Sequence, residues 1–198
     1  GFKTDFVNGA KSNKMNEKTA IEIFELLEKF AEYGFNKSHS TGYALIAYQT
    51  AWLKTYYPAE YYAANLSSDI NDTDKVVKLI DDAKSMNVEV LAPDVKMSYP
   101  DFRVIDDHTI SYGLAAIKNL GSKAATAIAD HRESEGDYTT VSDLCTIGSH
   151  LINRKSLESL IQAGACDNLE GHRAQLFEII DDALRIDNKI TEEASSLQ

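Results

Sequence analysis

Cysteine is scarce. Cys145 and Cys166 are the two in this 198-residue chain, they stand far apart, and no Cys-x-x-Cys pair accompanies them. That excludes a disulfide framework and a zinc knuckle, leaving two buried, reduced thiols as the expected state. The five histidines (His39, His108, His131, His150 and His172) never fall at the close helical spacing of metal ligands, so no intrinsic metal is expected. No apolar run approaches the length of a membrane-spanning helix, which argues against a membrane partner. The opening residues Gly1-Phe2-Lys3-Thr4-Asp5 lack the basic and apolar regions of a signal peptide, and the expected compartment is the cytoplasm. Positive charge is also short: 20 Lys and Arg against 31 Asp and Glu leave a formal net charge of −11. A surface that gripped duplex DNA all over would be basic, so any nucleic-acid contact must be local.

What is present is ordinary for a soluble globular chain, with 43% hydrophobic and 26% charged residues and enough length for one large or two small domains. The chain is organised around a polar stretch, Gly34-Phe35-Asn36-Lys37-Ser38-His39-Ser40, that runs directly into an apolar one. From Tyr43 to Tyr57 two stripes recur at helical spacing: Tyr43, Ile46, Leu53, Tyr57 and Leu45, Tyr48, Trp52, Tyr56. Such a helix should be surrounded by protein on most sides, as a central strut. Its polar leading end reads in two ways. Asn36, Ser38 and Ser40 are capping residue types, and with Lys37 and His39 the same free helical amides make an anion site.

Phe2 to Asn16 reads as an incomplete helix and a turn. From Glu17, the positions Ala20, Ile21, Ile23, Phe24, Leu27 and Phe30 predict a helix that Gly34 stops and that packs against the strut. Pro58 closes the strut and opens a helix to about Leu66. Asn71 to Thr73 caps another, with Val76, Val77, Leu79, Ile80, Ala83 and Met86 inward and Asn87 as its stop. Asp72-Thr73-Asp74 has the Asp-x-Asp spacing of a magnesium-binding strand, but acids at a helix start are favoured by the dipole, and capping is the better reading. Val88 to Pro93 is extended, and Phe102–Ile105 and Thr109–Tyr112 predict a small hairpin around Asp106-Asp107-His108.

Beyond Gly113, the residues Leu114, Ala115 and Ile117 predict a short helix, Asn119-Leu120-Gly121 a tight turn, and Lys123 to Arg132 a second helix. This resembles a helix-hairpin-helix unit. Glycine permits the turn, and the amides of Gly121, Ser122 and Lys123 then face outward, where they can meet a DNA phosphate with Lys118 and Lys123 adding charge. Contacts of that kind position a duplex without reading its sequence. A plain αα-hairpin is the alternative. Val141, Leu144, Ile147, Leu151, Leu157, Leu160 and Ile161 supply a small helical core, and Arg154 and Lys155 near a helix start either face phosphate or are solvated surface. His172-Arg173 opens a last helix with Leu176, Ile179, Ile180, Ala183 and Leu184 inward. From Asp187 onward the polar, acidic composition predicts a linker.

The run Tyr33 to Ser40, with Tyr43-Ala44-Leu45, Tyr48-Gln49-Thr50 and Tyr57-Pro58-Ala59-Glu60, closely resembles the fingers domain of the bacterial C-family replicative polymerases, the DNA polymerase III alpha subunits. The resemblance continues through Ser67-Ser68 and Asn71 to Val76 as far as Gly164-Ala165-Cys166-Asp167. It implies a mainly α fold in four parts: distal fingers at 1–92, an extended β-hairpin connector at 93–112, a helix-hairpin-helix DNA-binding region at 113–186 and an acidic linker at 187–198. It also implies an internal piece of a longer DNA-directed DNA polymerase, a nucleotidyltransferase. Within it, Asn36, Lys37, Ser38 and His39 lie near nucleotide or template, with Ser38 as cap. The DNA backbone would be met by Lys118, Asn119, Gly121, Ser122, Lys123, Arg154 and Lys155. No catalytic residue and no cofactor is expected in the piece itself, which should be inactive alone, whereas the parent uses Mg2+ and deoxynucleoside triphosphates and meets a sliding clamp and other replisome subunits. Gln198 is a candidate first residue of the clamp-binding peptide. The rival reading is a non-catalytic helical adaptor that binds DNA or protein, which the acidic balance suits.

Overall fold

The computed structural model describes residues 1–33, 37–148 and 150–196, which divide into two compact units, Gly1–Ala51 and Trp52–Gln198. In the first unit α1 (Phe2–Ser12) packs on α2 (Glu17–Tyr33). Val7 and Ala20 are buried between them, and the Phe6 and Phe24 rings meet at 5.5 Å. Lys14, with φ of 64°, makes the turn. The expected stripe on α2 is only half used. Ala20 is buried and Ile21, Ile23 and Phe24 are partly so, but Leu27 and Phe30 are exposed, because α1 reaches only the first part of α2.

The strut helix is α3 (Lys37–Tyr56), which starts several residues before the apolar run. Its expected burial is not what the structure has: Tyr43, Leu45, Ile46, Tyr48, Trp52, Leu53 and Tyr56 are all exposed. Two apolar stripes need cover on two sides; within the units, α2 packs on α1 and α4 on α5. Periodicity registered a demand for cover that these side chains do not find among the described residues.

In the second unit α4 (Pro58–Ser68) starts with proline in its first turn, where the missing N–H costs no hydrogen bond. It packs on α5 (Thr73–Ser85) and on a three-stranded sheet. As the acid-cap reading requires, the Asp72 side chain accepts from the Lys75 amide at 3.2 Å. Asn87, at φ of 59°, follows the end of α5. The expected hairpin is β2 (Arg103–Asp106) against β3 (Thr109–Ser111), with an irregularity between Val104 and Asp106. The stretch read only as extended adds β1 (Glu89–Val90), paired in parallel with β3, to give the order β1-β3-β2. Tyr62, Leu66, Val76, Ala83, Val88, Phe102 and Ile110 form one core over this sheet.

A second core lies under the 3-10 turn Leu114–Ala116 and helices α6 (Gly121–Glu135), α7 (Val141–Cys145), α8 (Arg154–Gln162) and α9 (Arg173–Ser196). Leu114, Ile128, Tyr138, Leu144, Leu157, Leu160 and Leu176 are fully buried there. Tyr112 packs on both cores. Between them, the buried guanidinium of Arg132 donates to the carbonyls of Val95 at 2.7 Å and Ser98 at 2.9 Å and lies over the Tyr99 ring. Gly113 is fixed by close approach: a Cβ there would sit 2.8 Å from the Phe102 amide nitrogen. Both cysteines are free and buried, and burial pushes the Cys166 thiol up to about 12. Two expectations for the last helix change. Ile179 faces solvent, and α9 runs on to Ser196 past the expected linker start, since no glycine or proline between Asp187 and Ser196 interrupts it.

Candidate nucleic-acid interface

Sequence alone predicts the hairpin turn, and the structure builds it from three local requirements. Asn119 and Gly121 both take the left-handed conformation, at φ of 68° and 62°, which asparagine tolerates and glycine favours. Between them Leu120 is 3% exposed, so an apolar side chain anchors the turn into the core while its neighbours face out. Leu120 then becomes the residue before α6, and no side chain caps that helix. The first-turn amides of Gly121, Ser122 and Lys123 are therefore left for an external acceptor, at the positive end of a 15-residue helix.

Lys118, Asn119, Gly121, Ser122 and Lys123 are all exposed, so the turn assembles five of the expected residues on one accessible surface. Among the described residues neither Lys118 nor Lys123 has an ion-pair partner. Asn119 differs from the rest: its amide is turned inward and donates to Ser159 Oγ at 3.4 Å, tying the turn to α8. Leu120 and Ser159 are the positions that sequence reasoning missed. An apolar residue inside the Asn-x-Gly turn was the available signal for the first; nothing local announced the second.

The second basic pair behaves differently. Asn153 caps α8 by accepting from the Ser156 amide at 3.1 Å. Arg154 donates to Glu158 at 2.8 Å and pairs with Asp181 across to α9, and these carboxylates hold its guanidinium firmly charged. Its Nε and Nη1 are thus engaged within the protein, whereas Lys155 is exposed and has no ion pair among the described residues.

At the leading end of α3 the helix starts at Lys37, so Ser38 lies inside the first turn and does not cap it. Gly34, Phe35 and Asn36 lie outside the described residues, as do the Lys37 side chain and Gln198. Ser38 and His39 are exposed, and the His39 ring tilts against Tyr43 with centroids 4.4 Å apart. Among the described residues no group of three His, Cys, Asp or Glu side chains is arranged to hold a metal, and no helix is long and apolar enough to cross a membrane.

Comparison with known proteins agrees with this geometry. Residues 87–176 match the family model described as helix-hairpin-helix motif. The chain is 45% identical over 194 residues to the DNA polymerase III subunit alpha of Xylella fastidiosa (strain Temecula1), covering 98% of this chain and 16% of that protein. It is 46% identical over 180 residues to the subunit of the same name from Buchnera aphidicola subsp. Acyrthosiphon pisum, covering 90% of this chain and 16% of that one. For the Escherichia coli (strain K12) subunit the identity is 45% over 181 residues, with coverages of 91% and 16%. The chain thus spans about one sixth of the length of the curated relatives it matches.

Proposed function

We propose that this chain is the distal fingers and helix-hairpin-helix portion of a bacterial replicative DNA polymerase alpha subunit, and that its hairpin turn holds duplex DNA by the backbone. The observation that carries the reading is a match of 45% identity across 98% of the chain to a DNA polymerase III subunit alpha. The uncapped start of α6, flanked by lysines with no ion pair among the described residues, supplies the physical means: amides and cations in one place for a phosphate. An acidic chain can do this because the contact is confined to one turn.

The parent would join a deoxynucleoside monophosphate to a primer 3′ hydroxyl, with pyrophosphate leaving, and would use magnesium held by carboxylates outside this piece. The chain alone is therefore expected to be inactive. Asn36, Lys37, Ser38 and His39 would lie towards nucleotide or template. Arg154 and Lys155 would extend the backbone contact, with Lys155 the more available of the two. A sliding clamp and other replisome subunits would be met through the parent, in the cytoplasm.

The test is titration of a labelled duplex at low salt. Binding should be weak, independent of base sequence and steeply salt-dependent. Lys123→Glu should weaken it roughly tenfold and lower the slope of log affinity against log salt by about one. Equal affinity and slope for wild type and variant would remove the turn from the interface.

A further inference from the structure

Immediately beside the hairpin turn lies a groove of about 470 Å3, a volume in the range of about 300–1,000 Å3 that small ligands occupy. Ile117, Lys118 and Asn119 of the hairpin line it, together with Ser159 and Gln162 of α8 and Tyr112 at the end of the sheet. The chain carries 31 Asp and Glu residues, yet among the described residues none lines this groove, and the one cation among them that does, Lys118, has no ion pair there. The nearest acids in sequence, Asp72 and Asp74, flank the lining residue Thr73 without lining the groove themselves.

The remaining walls offer flat apolar surface and unengaged polar groups. Ile117 is buried, and the half-buried Pro93 and Ala116 give the groove its apolar wall. Tyr112 leans its ring on Phe102, with centroids 4.9 Å apart, and its hydroxyl has no hydrogen-bond partner among the described residues. Burial raises its phenol above the ordinary value of 10.0, so it stays a neutral donor. Gln162 is exposed, and its amide supplies both a donor and an acceptor. Asn119 and Ser159, already bonded to each other, join the hairpin wall to the α8 wall.

A ligand that matches must carry one negative charge, a flat apolar body and hydrogen-bonding edges, and must arrive next to a phosphate grip. We propose that the groove receives one unpaired nucleotide at the end of a duplex held by the hairpin turn. Lys118 takes its phosphate, the base rests against Pro93 and Ala116, and Gln162 and the Tyr112 hydroxyl bond its edge. Continuity with the turn selects this occupant over a free nucleotide, because a strand gripped at Gly121 to Lys123 delivers its next residue to Lys118 at high local concentration. The inference rests on the reading of the turn as a backbone grip.

Three labelled DNAs test it by fluorescence anisotropy at low salt: a blunt duplex, the same duplex with one unpaired 3′ nucleotide, and the same with one unpaired 5′ nucleotide. One overhang polarity is expected to bind about three- to tenfold more tightly than the blunt end. Gln162→Ala and Tyr112→Phe should abolish that advantage and leave blunt-end affinity unchanged, while Lys123→Glu should weaken all three. The groove proposal is overturned if neither overhang gains affinity or if the gain survives both groove substitutions. Insensitivity of blunt-end binding to Lys123→Glu sinks the turn reading separately, and absence of binding by any duplex sinks both.

Discussion

The two units reach opposite balances between apolar residues and cover for them. In Gly1–Ala51 the buried hydrophobics among the described residues are Val7 and Ala20, while Leu26, Leu27, Phe30, Tyr43, Leu45, Ile46 and Tyr48 are exposed. In Trp52–Gln198 side chains of similar size, from Tyr62 and Ile110 to Tyr138, Leu144 and Leu160, are fully buried in two cores that share Tyr112. Each apolar side chain removed from water contributes on the order of 1.5–3 kcal/mol, so stability resides in the second unit. The contrast separates two properties that look alike in a sequence. Helical periodicity shows which residues call for cover, but cover itself depends on what the rest of the fold can bring.

Equal leucine truncations in the two units give the sharpest test. Leu160→Ala should cost about 2–5 kcal/mol, whereas Leu27→Ala should change stability by no more than about 0.5 kcal/mol. Urea unfolding followed by the fluorescence of Trp52 for the second unit, and by amide exchange for both, would measure the pair; matching losses would abolish the distinction. Next in size is Gly113→Ala. Its Cβ has no room beside the backbone of Asp101 and Phe102, so a loss of about 1–3 kcal/mol is expected, with exchange rising at the sheet and the hairpin together. A rise at only one of them would mean that the two cores are not joined there.

Smaller still is Tyr138→Phe. The buried Tyr138 hydroxyl donates to the Ile128 carbonyl at 2.7 Å, and burial pushes its phenol up to about 12. Losing that bond should cost about 1 kcal/mol at neutral pH, and an unchanged urea midpoint would show it to be dispensable. The least is expected where the hydroxyl of buried Tyr62 meets Lys54 and Asp82 at the edge of the core. Asp82 accepts from Lys54 at 2.6 Å and from Tyr62 at 2.7 Å, and these bonds lower its carboxyl below the usual range. A depressed carboxyl stabilises the fold above its unfolded value of about 3.9 and loses that contribution as pH falls through the folded value. Asp82→Asn should therefore flatten the acid limb of a melting-temperature profile in that window and leave the limb above pH 6 parallel to wild type.

Much of the second unit was legible locally. Pro58 opens α4, Asp72 caps α5, Asn87 follows its end, and Asn119 and Gly121 turn the hairpin, because each of these roles is settled within a few residues of backbone. Less legible were relations between distant segments. The pairing of β1 with β3, the guanidinium of Arg132 on the carbonyls of Val95 and Ser98, and the Asn119 bond to Ser159 link residues 20 to 40 positions apart, and no spacing rule announces them. The same limit applied to the basic residues. Lys123 and Arg154 look alike as cations in the first turn of a helix, yet among the described residues one has no ion pair and the other is held by Glu158 and Asp181.

By itself the sequence determined the helical elements, the turns between them and the type of chemistry at the hairpin, since hydrogen-bonding capacity, chirality and apolar spacing act over one or two helical turns. Only the tertiary structure decided which apolar faces are covered, which cations are neutralised and that a groove without carboxylates opens beside the turn. Those outcomes depend on which distant side chains compete for the same surface, and that competition is resolved when the elements pack.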